Sequence, residues 1–379
     1  MNIYKIAKPS DAKEYLEQLG VQGGGVSIIS KKMDLLYFAI KDISAPAANI
    51  LKQDALSIGA ELAVPSGVIT CSQSSYDCML IANVKQIEIL AKKEMAQPFG
   101  LKDLAKKLAD FVSIKRFPIQ IMGVINANDD SFYSGSRFVA DDAIAQIEKM
   151  ISQGANIIDI GAVSSRPGSK PVDAEVELER VRYICDAIKE KKLYQKAEFS
   201  IDSYTPSVVE YALQSGFGIV NDITGARDDR IISLAHKYRA KICIMHMQGT
   251  PETMQKSPQY SDVVVEVDQF FQDRIAKCEK VGLSRENIIL DVGIGFGKTL
   301  EHNIELIKSL SHFQRFGCSL LVGASRKSMI DHIIPAPVQD RLSGTIAIHL
   351  KALENGADII RCHDVAEHKQ AIEVWKRLY

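Results

Sequence analysis

From residue 119 onward, short apolar runs recur, and nearly every one ends at a side chain that can do chemistry. The run 119–125 ends at Asn126, 157–158 at Asp159, and 199–201 at Asp202. The run 219–220 leads to Asn221 and Asp222, 242–245 to His246, and 288–290 to Asp291. The run 320–322 leads to Gly-Ala-Ser-Arg-Lys-Ser at 323–328, and 359–360 leads to Arg-Cys-His-Asp at 361–364. Helix-like segments fill the intervals. Parallel strands buried on both faces read as continuous apolar runs. Eight such runs predict an α/β fold, a (β/α)8 TIM barrel, whose functional groups sit at the C-terminal ends of the strands. The barrel is expected over residues 115–379, about 265 residues against the roughly 250 that are typical.

Residues 1–114 have another texture and predict a small N-terminal α/β domain. The run 26–29 after three glycines, together with 35–40, reads as a strand pair. Residues 68–70 and 78–82 read as further strands; residues 45–60, 84–95 and 101–111 have helical spacing. No catalytic cluster is evident there, and a scaffold or oligomerisation role is the expectation. In the barrel part, Asp141 or Asp142 is expected to cap the first helix, Ser261 a later one, and Pro206 to sit in a first turn.

Composition narrows the function class. Hydrophobic residues make up 46% and charged residues 25% of the 379, as in ordinary globular proteins. A formal net charge of −1 gives no basic field for nucleic acid. No run approaches the roughly 18 apolar residues of a membrane helix, and the start lacks the apolar core of a signal peptide. The seven cysteines are scattered, which reads as reduced thiols in a cytoplasmic protein. The eight histidines form no His-Glu-x-x-His motif.

Several strand ends suggest a chemistry. Asn126 opens a long polar loop that suits a mobile lid, and its amide oxygen is either a ligand for Mg²⁺ or a turn former. Ser-Arg-Pro-Gly at 165–168 puts a guanidinium beside a rigid turn, for an anion or simply for solvent. Asp202, Asn221 and Asp291 offer acceptors and one amide to a flat, nitrogen-rich ring. They serve equally as ion-pair partners. The segment 293–299 misses the P-loop pattern by one position, because its first glycine would fall at Val292. It reads as a glycine-rich loop that lets backbone approach a ligand, with Phe296 to pack on a ring. Lys327, after the seventh strand, and Arg361 and His363, after the eighth, lie where barrels often bind phosphate. Arg326 is expected to face away from its neighbour, and His246 to be a satisfied structural histidine.

Taken in order, these stretches resemble the dihydropteroate synthase family of pterin-binding barrels. The resemblance rests on 121–126 with 130–132, 165–168, 200–203, 221–223, 245–249, 291–298, 325–330, 341–344 and 361–365. It spans the barrel and leaves residues 1–114 outside. It implies condensation of 6-hydroxymethyl-7,8-dihydropterin diphosphate with p-aminobenzoate, giving 7,8-dihydropteroate and diphosphate in folate biosynthesis. Asp202, Asn221, Met245, Asp291, Phe296, Gly323 and Lys327 then resemble the pterin pocket. Asn126, Arg361 and His363 resemble the diphosphate site, with Mg²⁺ at Asn126. Ser165, Arg166, Pro167 and Ser328 resemble the p-aminobenzoate site, where sulfonamides compete. Asp202, Asp291, Lys327, Arg361 and His363 carry the catalytic expectation, and a homodimer is implied. Departures fall at Asn128, Asp129 and Ser134 in the first loop, at Val163 and Val292, and at Ser165, which keeps a hydroxyl where threonine is usual. Two other readings remain at this point: a pterin-binding methyltransferase barrel, and a pterin-binding paralogue without catalysis.

Overall fold

The computed structural model describes residues 1–6, 11–112, 114–127, 137–163 and 172–378, with the side chains of 137–141 excepted. The chain divides into two compact units, Met1–Ile114 and Lys115–Leu378.

In the first unit three strands form one antiparallel sheet: β1 (Leu35–Ser44), β2 (Glu61–Ala63) and β3 (Ser75–Asn83), in the order β1-β3-β2. Alternate residues of β3 are buried, as a half-covered antiparallel sheet requires. Helices Ala45–Ser57, Val84–Lys93 and Leu101–Asp110 cover it through Leu51, Ile87, Leu90 and Leu108, in one core with Leu80 of β3. Asn83 and Gln86 form a reciprocal capping box at the second of these helices. Two expectations are overturned. The run 26–29 is helical, within Gly23–Ser30, and the partner of β1 is β3. Residues 68–70 lie in a turn, with Val68 buried and its carbonyl accepting from Asn49 at 2.8 Å.

The second unit is a closed barrel of eight parallel strands. They are β4 (Gln120–Asn126), β5 (Ile157–Gly161), β6 (Glu198–Asp202), β7 (Ile219–Asp222), β8 (Lys241–Met245), β9 (Ile288–Asp291), β10 (Ser319–Val322) and β11 (Ile359–Cys362). A helix follows each strand, from Arg137–Ser152 after β4 to Val365–Leu378 after β11. The first helix begins before Asp142, so that residue lies inside it. Asp262, and not Ser261, caps Val263–Val281, accepting from the amides of Val264 and Val265. Pro206 does open its helix.

Strand register explains why these runs look uniformly apolar yet carry polar groups. Side chains alternate faces along a strand. Outward positions such as Ile121, Ile158, Phe199, Val220, Ile244, Leu290, Val322 and Ile360 pack against the helices. Inward positions start with a separate apolar plug: Met122, Ile157, Ile219, Cys243, Ile289, Leu321 and Ile359. One step further toward the C-terminal end of the strands the same inward face becomes polar. Register pairs Asn126 with Gly161, Gly161 with Asp202, Asp202 with Asn221, and Met245 with Asp291. The packed plug closes the barrel below this polar layer.

Phe199 is fully buried between its strand and the helix layer, 5.5 Å from the Phe217 ring. Phe199→Ala is expected to cost about 3–5 kcal/mol of stability. Urea denaturation followed by tryptophan fluorescence or circular dichroism measures it, and a loss under about 1 kcal/mol would show that the site collapses around the cavity.

Candidate active site

At the floor of the polar layer one guanidinium is shared by two carboxylates. Arg361 Nε donates to Asp159 Oδ2 at 2.7 Å, and its Nη2 donates to Asp202 Oδ2 at 2.9 Å. Asn221 Nδ2 donates to the same Asp159 oxygen at 3.0 Å. Asp159 is wholly buried, and its other oxygen has no hydrogen-bond partner among the described residues. The residues come from β5, β6, β7 and β11, and inward parity turns all of them to one axis. Gly161 matters here: a Cβ at that position would lie 3.3 Å from the Asp202 Cβ. Arg361 thus lies among the residues expected to hold the pterin, with its Nε and Nη2 taken by the two carboxylates.

Burial sets the ionisation of this cluster. It raises Asp202 to about 7, with the Asp159 charge adding to the effect and Arg361 opposing it. Burial raises Asp291 as well, against Lys327 and the Gly293 amide. The same burial lowers Lys327 to about 8, while Asp291 holds it up. For Arg361 burial works downward, but the charges of Asp159 and Asp202 outweigh it and raise its pKa. Carboxylates and ammonium groups that titrate close to neutrality are a mark of functional sites.

Opposite this cluster stands the glycine-rich loop after β9. Asp291 Oδ1 accepts from Gly293 N at 2.8 Å. Gly293 has φ +67°, and a Cβ there would lie 2.0 Å from the His246 carbonyl oxygen, so no side chain fits. Lys298 is buried and pins the loop. Its Nζ donates to Phe296 O at 2.9 Å, to His246 O at 3.1 Å and to His246 Nδ1 at 3.0 Å. Burial, and then the Lys298 charge, lowers His246 to about 3, which leaves its ring neutral as an acceptor. Lys298 thus holds His246 through its ring Nδ1 and its carbonyl. Lys327 Nζ donates to Ile294 O and lies 4.6 Å from the centre of the Phe296 ring. Phe296 and Lys327 thus form one flank of the mouth.

The rim is polar and more open. Exposed His363 faces Ser325, with Nδ1 and Oγ 2.9 Å apart. Arg326 turns to Asp364 through Nη2 at 2.6 Å and Nε at 3.0 Å, away from Lys327. Met245 is buried beside Asp291, and Gly323 lies against Arg361, where a Cβ would be 3.6 Å from the arginine Cβ. Asn126 ends β4 half-buried on the inward face. Ser328 is exposed in the first turn of its helix. Ser165, Arg166 and Pro167 lie outside the described residues, as do Asn128, Asp129 and Ser134.

Two residues of this site escaped the sequence reading. Asp159 stood at the end of an apolar run, but nothing local marks it as the partner of an arginine two hundred residues away. Counting inward positions back from Gly161 would have found it. Lys298 was visible only as the end of a glycine motif. Its bonds to His246 need the fold.

Comparison with known proteins places these features. The model of the pterin binding enzyme family matches residues 122–363. A Helicobacter pylori protein named bifunctional dihydropteroate synthase/dihydropteroate reductase is 42% identical over 377 residues, covering 99% of each chain. The Haemophilus influenzae dihydropteroate synthase is 41% identical over 258 residues, 68% of this chain and 93% of that one. Among solved structures, Yersinia pestis dihydropteroate synthase in a sulfonamide drug complex superposes with a TM-score of 0.64 at 36% identity, covering 69% of this chain and 94% of that chain.

The Asp159 charge is one cause of the raised Asp202 pKa, so Asp159→Asn should lower it. Between the unfolded carboxylate value and about 7 the folded protein holds a proton that the unfolded chain releases, so stability falls as pH rises through this window. In the variant the window narrows. Urea denaturation at intervals from pH 5 to 7 should show a shallower decline than in the parent; an equal slope would remove Asp159 as a cause.

Proposed function

The chain belongs to the pterin-binding enzymes and, within them, to the dihydropteroate synthases, and we propose that the barrel mouth performs the condensation with the residues gathered there. Its substrates in this reading are 6-hydroxymethyl-7,8-dihydropterin diphosphate and p-aminobenzoate. The observation that carries the assignment is the inward-facing set Asp202, Asn221, Asp291 and Arg361, with Lys327 and Phe296 beside it. Asp202, Asn221 and Asp291 hold the donor and acceptor edge of the pterin, and Met245, Phe296 and the Gly323 backbone line its faces. The carbon–oxygen bond to the diphosphate breaks, the electron pair leaves with the diphosphate, and positive charge develops on the pterin methylene. Asp202 and Asp291 stabilise that charge, and Arg361, His363 and Lys327 stabilise the departing anion. The arylamine nitrogen then bonds to the methylene and gives up a proton to solvent. Ser165, Arg166, Pro167 and Ser328 are assigned to hold the arylamine.

A divalent cation fits this mouth on one count. Asn126 puts a hard amide oxygen on the inward face beside the proposed diphosphate position, and Mg²⁺ takes one or two protein oxygens together with substrate phosphates. When bound, Mg²⁺ would supply charge for the leaving group. No cluster of three or more His, Cys, Asp or Glu that could hold a metal exists among the described residues, so substrate oxygens would complete the shell.

A homodimer and a cytoplasmic location complete the proposal. All seven cysteines are free, which supports a reducing compartment. Among the described residues no helix is long and apolar enough to cross a membrane.

A second reading adds to the first. The Helicobacter pylori relative named as a reductase as well shares the whole chain, residues 1–114 included, whereas the Haemophilus influenzae synthase matches 68% of it. On that ground the full chain is proposed to reduce dihydropteroate as well, adding a hydride from a reduced nicotinamide and a proton from water across the ring carbon–nitrogen double bond. Dihydropteroate-dependent oxidation of the nicotinamide by the purified chain is the expected result, and its absence with either nicotinamide removes this reading.

Purified protein incubated with the pterin diphosphate, Mg²⁺ and p-aminobenzoate should form dihydropteroate and diphosphate in equal amounts. Diphosphate release that ignores the arylamine, or a folded protein that binds pterin but is inert, would sink the synthase proposal. The pH profile of kcat/KM reports groups of the free enzyme. With Asp202 needed as carboxylate and Lys327 as ammonium, activity should rise through about 7 and fall through about 8. Asp202→Asn should flatten the rising limb and Lys327→Met the falling one, each with a loss of at least ~10²-fold, the lower end for a group acting in the transition state.

A further inference from the structure

Two histidines buried behind the anion rim are used by none of the steps above. His349 lies in the helix Leu342–Glu354 and His368 in Val365–Leu378, each only 1% exposed. The amide of Ala324 donates to His349 Nε2 at 3.0 Å. A backbone N–H can only donate, so His349 Nε2 carries no proton. His349 Nδ1 lies 2.8 Å from His368 Nε2, and His368 Nδ1 lies 2.6 Å from the Asp364 carbonyl. A carbonyl can only accept, so His368 Nδ1 carries the proton and donates it to Asp364.

These two ends fix the middle. A neutral His349 with a bare Nε2 has its proton on Nδ1 and donates to His368 Nε2. The chain then runs in one direction, from Ala324 N–H through His349 and His368 to Asp364 C=O. Every ring nitrogen is used once. A second proton on either ring would set two N–H groups against each other. Burial works the same way, lowering the pKa of both rings; the His368 ring and Lys327 lower His349 further.

What the chain joins gives it a use. Ala324 precedes the segment that carries Ser325, Lys327 and Ser328. Asp364 follows Arg361 and His363. A second tie runs over the first: Arg326 pairs with Asp364, and its amide donates at 2.9 Å to Thr345, on the same helix as His349. Arg326 is held at φ +55°, a strained angle for a side-chain-bearing residue, so the segment is not in its relaxed form.

We propose that His349 and His368 are positioning residues: a neutral two-histidine relay that sets the loop after β10 against the loop after β11, and so spaces Lys327, Arg361 and His363 for the diphosphate end of the substrate. The proposal rests on the synthase reading for the name of its ligand, but inorganic diphosphate tests it without turnover.

The first measurement uses the full chain labelled with ¹⁵N-histidine, whose long-range ¹H–¹⁵N correlations report the tautomer of each ring. Two neutral rings protonated at Nδ1, unchanged from pH 6 to 8, are expected. A charged ring, or a proton on Nε2 of either, would overturn the relay. The second measurement is calorimetric titration of inorganic diphosphate with Mg²⁺ into parent, His349→Leu and His368→Gln proteins. His349→Leu should weaken binding at least tenfold with an unchanged circular dichroism spectrum. His368→Gln keeps an amide oxygen to accept from His349 and should stay within threefold of the parent. Equal affinity in folded His349→Leu would end the proposal. Should that variant not fold, His368→Leu and the tautomers of the unaltered protein decide between the same two outcomes. An unaltered protein that binds diphosphate but forms no dihydropteroate would count against the synthase reading and leave the relay standing.

Discussion

The mouth of the barrel depends on one buried cation. Arg361 sits between Asp159 and Asp202, and each charge taken out of water costs several kcal/mol unless well paired. The pairing reaches across β4, because β11 and β5 flank it and β6 lies beyond. Only a closed barrel brings those strands to one axis, and the glycine at 161 spares the Asp202 side chain a Cβ that would lie 3.3 Å from its own. Asn221 completes the Asp159 oxygen that Arg361 shares. The floor is still unsatisfied: one Asp159 oxygen has no partner among the described residues, and only Nε and Nη2 of Arg361 are hydrogen-bonded among them. A heterocycle with donors and acceptors along one edge is the kind of molecule that such a surface can hold.

Around that floor the loops are fixed by groups that do not touch substrate. Lys298 closes the glycine-rich loop onto His246. Arg326 with Asp364, and His349 with His368, tie the two anion-side loops together. Reacting groups must be held within fractions of an ångström for orientation to help the rate. Buried, fully used polar networks give that rigidity, and half-used ones do not.

Much of the barrel could be read from the chain. Each strand was marked by an apolar run with a polar stop, because both faces of a barrel strand are buried until the mouth is reached. Asp202, Asn221, Asp291, Lys327 and Arg361 were visible for that reason. The first unit was harder. The run 26–29 is apolar in either structure, and four residues show no period. In the structure it lies within the helix Gly23–Ser30, and β1 pairs instead with β3, forty residues on. Residues 68–70 looked like a strand because Val-Ile-Thr is β-branched throughout; in the structure Val68 alone anchors a turn to the core, while Ile69 is exposed. The caps at Asp142 and Ser261 missed by position, since several residues near a helix start can accept from its free amides.

By itself, then, the sequence determined the strand ladder, the parity of its side chains and the chemical types at its ends. These depend on local burial, which leaves a period in the chain. Tertiary structure alone decided who meets whom. That Arg361 answers Asp159 and Asp202, that Lys298 serves His246, and that His349 meets His368 follow from barrel closure and helix packing. Such contacts join residues dozens or hundreds of positions apart, and hydrogen-bond partners at that range leave no pattern in a single chain.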